Sequence, residues 1–221
     1  MRLLEKFPAK PATARVAPFL VFLALTFCQG KFGTSPAYWF YLAKTLVGAW
    51  LIWEMRPFVG EMRWAFSWEA VGGGVGIFAV WVGLDPFYPH LSKGGMAWNP
   101  PGQFGENSAL AWLMIGTRIL GSTFVVPPLE EVFYRSFLYR CIARQDFLSV
   151  RLNQFLPLPF FATVAVFGFS HNEWLAGILC GAAYQWLVIR KNQLGDAMTA
   201  HAITNFLLGA WIVWRGAWHF W

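Results

Sequence analysis

Apolar residues gather into runs separated by short breaks rich in polar residues, Pro and Gly. The runs fall at about 16–29, 38–53, 69–84, 109–126, 129–142, 158–171, 173–190 and 196–214. Several approach the roughly 20 residues needed to cross a hydrocarbon core. A helix satisfies every backbone group within one such run, which lipid demands. The pattern therefore predicts an all-α chain, a polytopic transmembrane bundle of about seven to eight helices. There is no internal repeat and no low-complexity tract. The longest polar stretch, 85–108, is rich in Pro and Gly and holds one lysine and no arginine.

Composition supports this reading. Hydrophobic residues make up 57% of the chain and charged ones 13%, too few to cover a soluble surface. The 14 Trp and 6 Tyr suit the two interfacial belts of a bilayer. A net charge of +6 raises the question of nucleic acid, but the cations form no single patch. They sit in loops: Arg2, Lys6, Lys10 and Arg15; Arg56 and Arg63; Arg140, Arg144 and Arg151; Arg190 and Lys191. By the positive-inside rule these loops and the N-terminus face the cytoplasm and 85–108 lies outside, so the bilayer is the expected partner and nucleic acid is not. The basic leader followed by APFLVFLALTFCQG is similar to a signal peptide, without a clear small-x-small cleavage site, and reads as a retained first helix. Cys28, Cys141 and Cys180 form no CxxC pair and read as small buried thiols. The glycines Gly72, Gly73, Gly74 and Gly76 suit close helix packing, with a hinge as the alternative.

One stretch conflicts with so apolar a chain: PPLEEVFYRSFLYR, residues 127–140. Pro127 and Pro128 suit a first helical turn, so a helix start near Pro128 is expected, with Glu130 and Glu131 favoured there by the helix dipole. Glu131 and Arg135 are spaced i,i+4 in the favourable order for an ion pair. Glu130 points about 100° away and has no partner in its own helix. Such a carboxylate in a low-dielectric site is suited to serve as a general base. An interfacial cap with a salt bridge is the alternative.

Two later segments add to it. FGFSH (167–171) ends an apolar run with His171, and HAITN (201–205) places His201 and Asn205 on one helical face. Ionisable groups in such runs line bundle interiors or wet cavities and are functional candidates by default. No GxSxG, HExxH, Walker loop or GxGxxG is present. Ser170 and His171 are sequence neighbours and diverge by about 100° on a helix. A water-activating site remains.

EEVFYR (130–135), FGFSH and HAITN match, in order, the EExxxR, FxxxH and HxxxN motifs of the CPBP intramembrane proteases, the CAAX prenyl protease 2 or Abi family, which the chain resembles over about 109–214. In size it also resembles the small bacterial CAAX protease-related proteins associated with exosortase systems. The resemblance divides one integral membrane domain into N-terminal helices and outer loop (1–108) and a catalytic helical bundle (109–221). It implies a peptidase acting on membrane-anchored peptides or proteins, in a bacterial inner membrane. Glu130 would polarise water, His171 and His201 would hold the water or oxyanion, and Asn205 would donate to the oxyanion. Glu131 and Arg135 would orient the site, with Arg135 available to a substrate carboxylate, and Phe167 would set the His171 ring. No cofactor is favoured; the zinc alternative uses Glu130, His171 and His201 with water in the fourth position.

Two functions of other classes compete: a membrane immunity or scaffold protein with the same fold, and a proton-coupled transporter, which predicts a repeat. A question of depth also stays open. If 173–190 crosses fully, His171 and His201 lie roughly 10 Å apart in depth at about 1.5 Å per residue. Either that helix is strongly tilted or 158–171 enters only partway.

Overall fold

The computed structural model describes residues 11–29, 31–89, 91 and 98–221. Arg2, Lys6 and Lys10, and residues 90 and 92–97 of the expected outer loop, lie outside them. Among the described residues there are eight helices and no strand: α1 (Pro11–Gln29), α2 (Thr34–Met55), α3 (Trp68–Gly83), the short α4 (Pro100–Phe104), α5 (Ala109–Ala143), α6 (Pro157–Phe169), α7 (Trp174–Lys191) and α8 (Gly195–Arg215). Helices α1, α5 and α8 are long and apolar enough to cross a membrane, and α3 and α6 are shorter apolar helices. The fold is a helical membrane bundle.

Local chemistry sets the ends. Ser67 caps α3 by accepting the Ala70 N–H at 3.1 Å, and Ser108 caps α5 by accepting the Leu110 N–H at 3.2 Å. Helix α7 stops at Asn192, which takes the left-handed conformation at φ 55°.

The runs 109–126 and 129–142 form one helix rather than two. Pro127 and Pro128 do not start a helix; they follow a π-helical turn, Gly121–Val125, inside α5. Proline lacks an N–H and clashes with the carbonyl one turn back. In the wider turn the Val126 N–H reaches back five residues to the Gly121 carbonyl. That shift lets the chain continue through the proline pair. The cost falls on the Ser122 carbonyl: Val126 is committed to Gly121, and position 127 has no hydrogen to give.

Helix α5 is the centre of the bundle, with α1, α2, α6 and α8 packed on it. Helix α3 lies against α8 and α7. Two of the four clustered glycines explain that approach. A Cβ on Gly74 would lie 2.6 Å from the Ala200 carbonyl oxygen and 2.8 Å from Ile203 Cβ, and one on Gly73 would lie 3.3 Å from Leu187. Gly72 and Gly76 face open space. The packing role belongs to Gly73 and Gly74.

Of the cysteines, Cys180 is buried, but Cys28 and Cys141 are exposed. The expectation of three buried thiols fails because an apolar run in a membrane bundle has an outer face as well as an inner one.

Ion pairs gather the basic segments at one end. Glu61, in the loop after α2, meets Arg15 of α1 at 2.8 Å and Arg140 of α5 at 2.7 Å. Lys191 at the end of α7 meets Glu69 at the start of α3, also at 2.7 Å. Burial pushes the Glu61 carboxyl pKa up, but hydrogen bonds from Ser136 and Arg15 and the Arg15 charge outweigh it and hold it below its ordinary value. A depressed folded-state pKa stabilises above the ordinary carboxylate range and ceases to do so as pH falls through the folded value. Thermal unfolding in detergent should therefore show wild type losing stability relative to Glu61→Gln as pH drops from about 5 to about 3. Parallel curves for the two proteins would show that the network contributes no acid sensitivity.

Candidate active site

The motif segments meet around one cavity of about 200 Å³, bordered by Glu130 of α5, His171 just past α6, and His201 and Asn205 of α8. That volume is room for several waters. Trp81 of α3 and Cys180 of α7 complete much of the wall.

Glu131 anchors the arrangement. Its side chain is 0% exposed and that of Arg135 is 1% exposed, so the pair is not an interfacial cap. One carboxylate oxygen lies 3.2 Å from Arg135 Nε, close enough for an ion pair but without hydrogen-bond alignment. The other accepts from His201 Nδ1 at 2.9 Å. A carboxylate only accepts, so Nδ1 carries the hydrogen and the neutral ring keeps Nε2 as its free acceptor.

Arg135 is enclosed rather than available to substrate. Its guanidinium sits 4.3 Å from the Phe167 ring centre and donates to the Gly181 carbonyl at 3.4 Å. The expectation that it meets a substrate carboxylate fails, since no face of it is open.

His171 is held in the same sense. Its Nδ1 lies 2.8 Å from the Phe167 carbonyl oxygen, which again can only accept, and Nε2 is left over. Phe167 also packs its ring 4.8 Å from His171 and 6.2 Å from His201, centre to centre. Helix α6 has 13 residues, about 20 Å at the helical rise, shorter than the roughly 30 Å of a hydrocarbon core.

Asn205 answers the orphan made by the prolines. Its amide nitrogen donates to the Ser122 carbonyl at 2.8 Å. One N–H is thereby spent and the other remains. Glu130, one helical step from Glu131, has a buried oxygen, Oε2, without any hydrogen-bond partner.

Residues beyond the motifs shape the pocket. Tyr184 stacks on His201 at 5.1 Å and donates to Thr204 at 2.7 Å, and Thr204 in turn donates to the Gly74 carbonyl at 2.9 Å. A sequence signal for α7 was present in Gly177 and Gly181, a small-xxx-small spacing. A Cβ on Gly177 would lie 2.9 Å from the Gly168 carbonyl, and one on Gly181 would lie 3.0 Å from the Phe167 ring. Nothing in the sequence pointed to Trp81, whose ring meets His171 at 5.8 Å.

As for metal, no group of three His, Cys, Asp or Glu side chains among the described residues stands close enough to hold an ion. As placed, Glu130, His171 and His201 do not form a zinc ligand set.

Residues 109–207 match the family model described as type II CAAX prenyl endopeptidase Rce1-like. Over this stretch, 99 of the 221 residues, the chain is similar to the Rce1-like family. The family is one of CAAX-type proteases, within the wider CPBP group. No curated protein and no solved structure matches the chain. Every motif residue at the cavity, from Glu130 to Asn205, lies within the Rce1-like stretch, whereas Trp81 and the Gly74 contact come from α3, outside it.

The Glu131–Arg135 pair should support the fold as well as the site. Arg135→Ala would leave an enclosed carboxylate with His201 alone, at a cost of about 3–5 kcal/mol for breaking a buried pair. Lower levels of inserted protein and a lower unfolding temperature in detergent are the expected results. Wild-type stability would mean that His201 suffices to neutralise Glu131.

Proposed function

We propose that the chain is an intramembrane endopeptidase that hydrolyses a peptide bond in membrane-anchored substrates, with Glu130 activating a water. One observation carries this reading: Glu130, whose Oε2 is buried and has no hydrogen-bond partner among the described residues, borders a cavity that both histidines and Asn205 also border. In a chain this apolar, a carboxylate left without a partner is costly unless it is used.

The chemistry follows from the donors and acceptors present. A water between Glu130 and the free histidine Nε2 atoms gives a proton to Glu130 as its oxygen bonds to the peptide carbonyl carbon. The carbonyl oxygen becomes an oxyanion, which the spare Asn205 N–H stabilises. Removing one such donor elsewhere costs about 3–4 kcal/mol of barrier. The tetrahedral intermediate then releases the amine as the C–N bond breaks, and Glu130 returns its proton to the nitrogen. His201, if it takes a proton in passing, becomes a second oxyanion donor, and Glu131 balances its charge. No step needs a metal. The same reading places the protein in a bacterial cytoplasmic membrane, with its N-terminus and basic loops inside.

Glu130→Gln keeps size but cannot take a proton. Cleavage of membrane peptides should fall by about 10²–10⁴-fold with the unfolding temperature unchanged. A wild-type rate in that variant would leave a non-catalytic scaffold as the better reading. A chelator titration tests the metal-free version: activity should persist, whereas loss that added zinc restores would require a ligand set formed only with substrate.

A further inference from the structure

A second cavity of about 570 Å³ adjoins the first, and Arg118 and Trp221 border both. It contains Lys44 of α2 and Arg118 of α5, and no aspartate or glutamate lines it. Lys44 is 6% exposed, and its one hydrogen bond among the described residues goes to Thr26 at 3.1 Å. The Arg118 guanidinium makes no hydrogen bond or ion pair among the described residues. Both cations instead lie over the Tyr41 ring, with Lys44 Nζ at 4.5 Å and Arg118 Cζ at 4.9 Å from its centre. Arg118 also stacks on Trp98 at 4.7 Å and on Trp221 at 5.3 Å. Aromatic faces offset only part of the cost of two desolvated cations. A third donor points the same way: Trp98 Nε1 is buried without an acceptor among the described residues. Among the described residues the arrangement holds three donors and an excess of positive charge and lacks an anion.

We propose that this cavity binds the terminal carboxylate of the substrate, with Lys44, Arg118 and Trp98 Nε1 as its donors, and so fixes cleavage a set number of residues from the chain end. The proposal rests on the peptidase reading of the adjoining site. Arg135 cannot serve this role, being enclosed by Glu131, Phe167 and Gly181. A C-a-a-X box lies at the extreme C-terminus of its protein, so a cut inside it releases a short piece that ends in a free carboxylate. An extended peptide advances about 3.3–3.6 Å per residue, so a few residues carry the chain from one cavity into the next. Arg118, on the shared border, is then a specificity residue that touches the end of the substrate. Lys44 lies in the part of the chain outside the Rce1-like stretch.

The test uses one lipidated C-a-a-X peptide in two forms, with a free C-terminal carboxylate and with a C-terminal amide. Hydrolysis by wild type and calorimetric binding to Glu130→Gln protein in phosphatidylcholine nanodiscs are both measured. A charge-assisted contact predicts that the acid binds, and is cleaved at low concentration, about 10–100-fold better than the amide. Lys44→Gln and Arg118→Gln should each remove most of that preference, weakening the acid far more than the amide. Acid and amide treated alike, including no binding of either, would overturn the proposal, as would variants that weaken both forms equally. So would displacement of the acid peptide by phosphatidylglycerol, which would give the cavity to a lipid headgroup. Acid-selective binding without hydrolysis keeps the carboxylate site and removes the peptidase; hydrolysis without acid preference does the reverse.

Discussion

A carboxylate with no exposed surface organises this bundle. Glu131 touches Arg135 with one oxygen and His201 with the other. A buried ion is tolerable only when its partners are fixed, because losing one strands a charge at several kcal/mol. The constraint spreads outward from there. His201 ties α5 to α8, while Arg135 reaches α7 through the Gly181 carbonyl and α6 through the Phe167 ring. Four helices are thus registered on one side chain, and the His201 ring is oriented by the same contact.

Adjacent glutamates can differ so sharply because a helix turns about 100° per residue. Glu131 looks into the protein and Glu130 into the cavity. The backbone around them departs from regular helix on both sides, with π-helical turns at Gly121–Val125 and Val132–Leu138. Such turns often mark functional sites, and here the first has a traceable cause. The proline pair deprives the Ser122 carbonyl of a partner within the helix, and Asn205 supplies one. What looks like a break in sequence is a docking point between two of the three helices that carry the motifs.

The helical class, the ionic partner of Glu131 in its own helix and the small-residue packing of α3 were legible, because each depends on local spacing. The Glu131–His201 contact was not, since it joins positions 70 residues apart and no periodicity encodes it. The merging of two predicted helices was missed for a different reason. Proline reads as a helix start when α-helical bonding is assumed, and one π turn removes that assumption. Thiol exposure was misjudged because hydropathy does not separate the lipid face of a bundle from its interior.

The first hundred residues read as generic spans, yet the site depends on them. The single Thr204 hydroxyl hydrogen is shared between the Gly74 carbonyl, at 2.9 Å, and the Ala200 carbonyl one turn back in α8, at 3.1 Å. This clamp lies between His201 and Asn205 in sequence. The backbones can come that close only because Gly74 has no Cβ, and Tyr184, which stacks on His201, is bonded to the same Thr204 hydroxyl. Trp81, two turns further along α3, walls the cavity at His171. A family-like stretch carries the motif side chains, but their positions are set partly by a helix outside it. The smallest residue in α3 therefore bears on the geometry of the cavity as directly as several of the larger ones in the motifs.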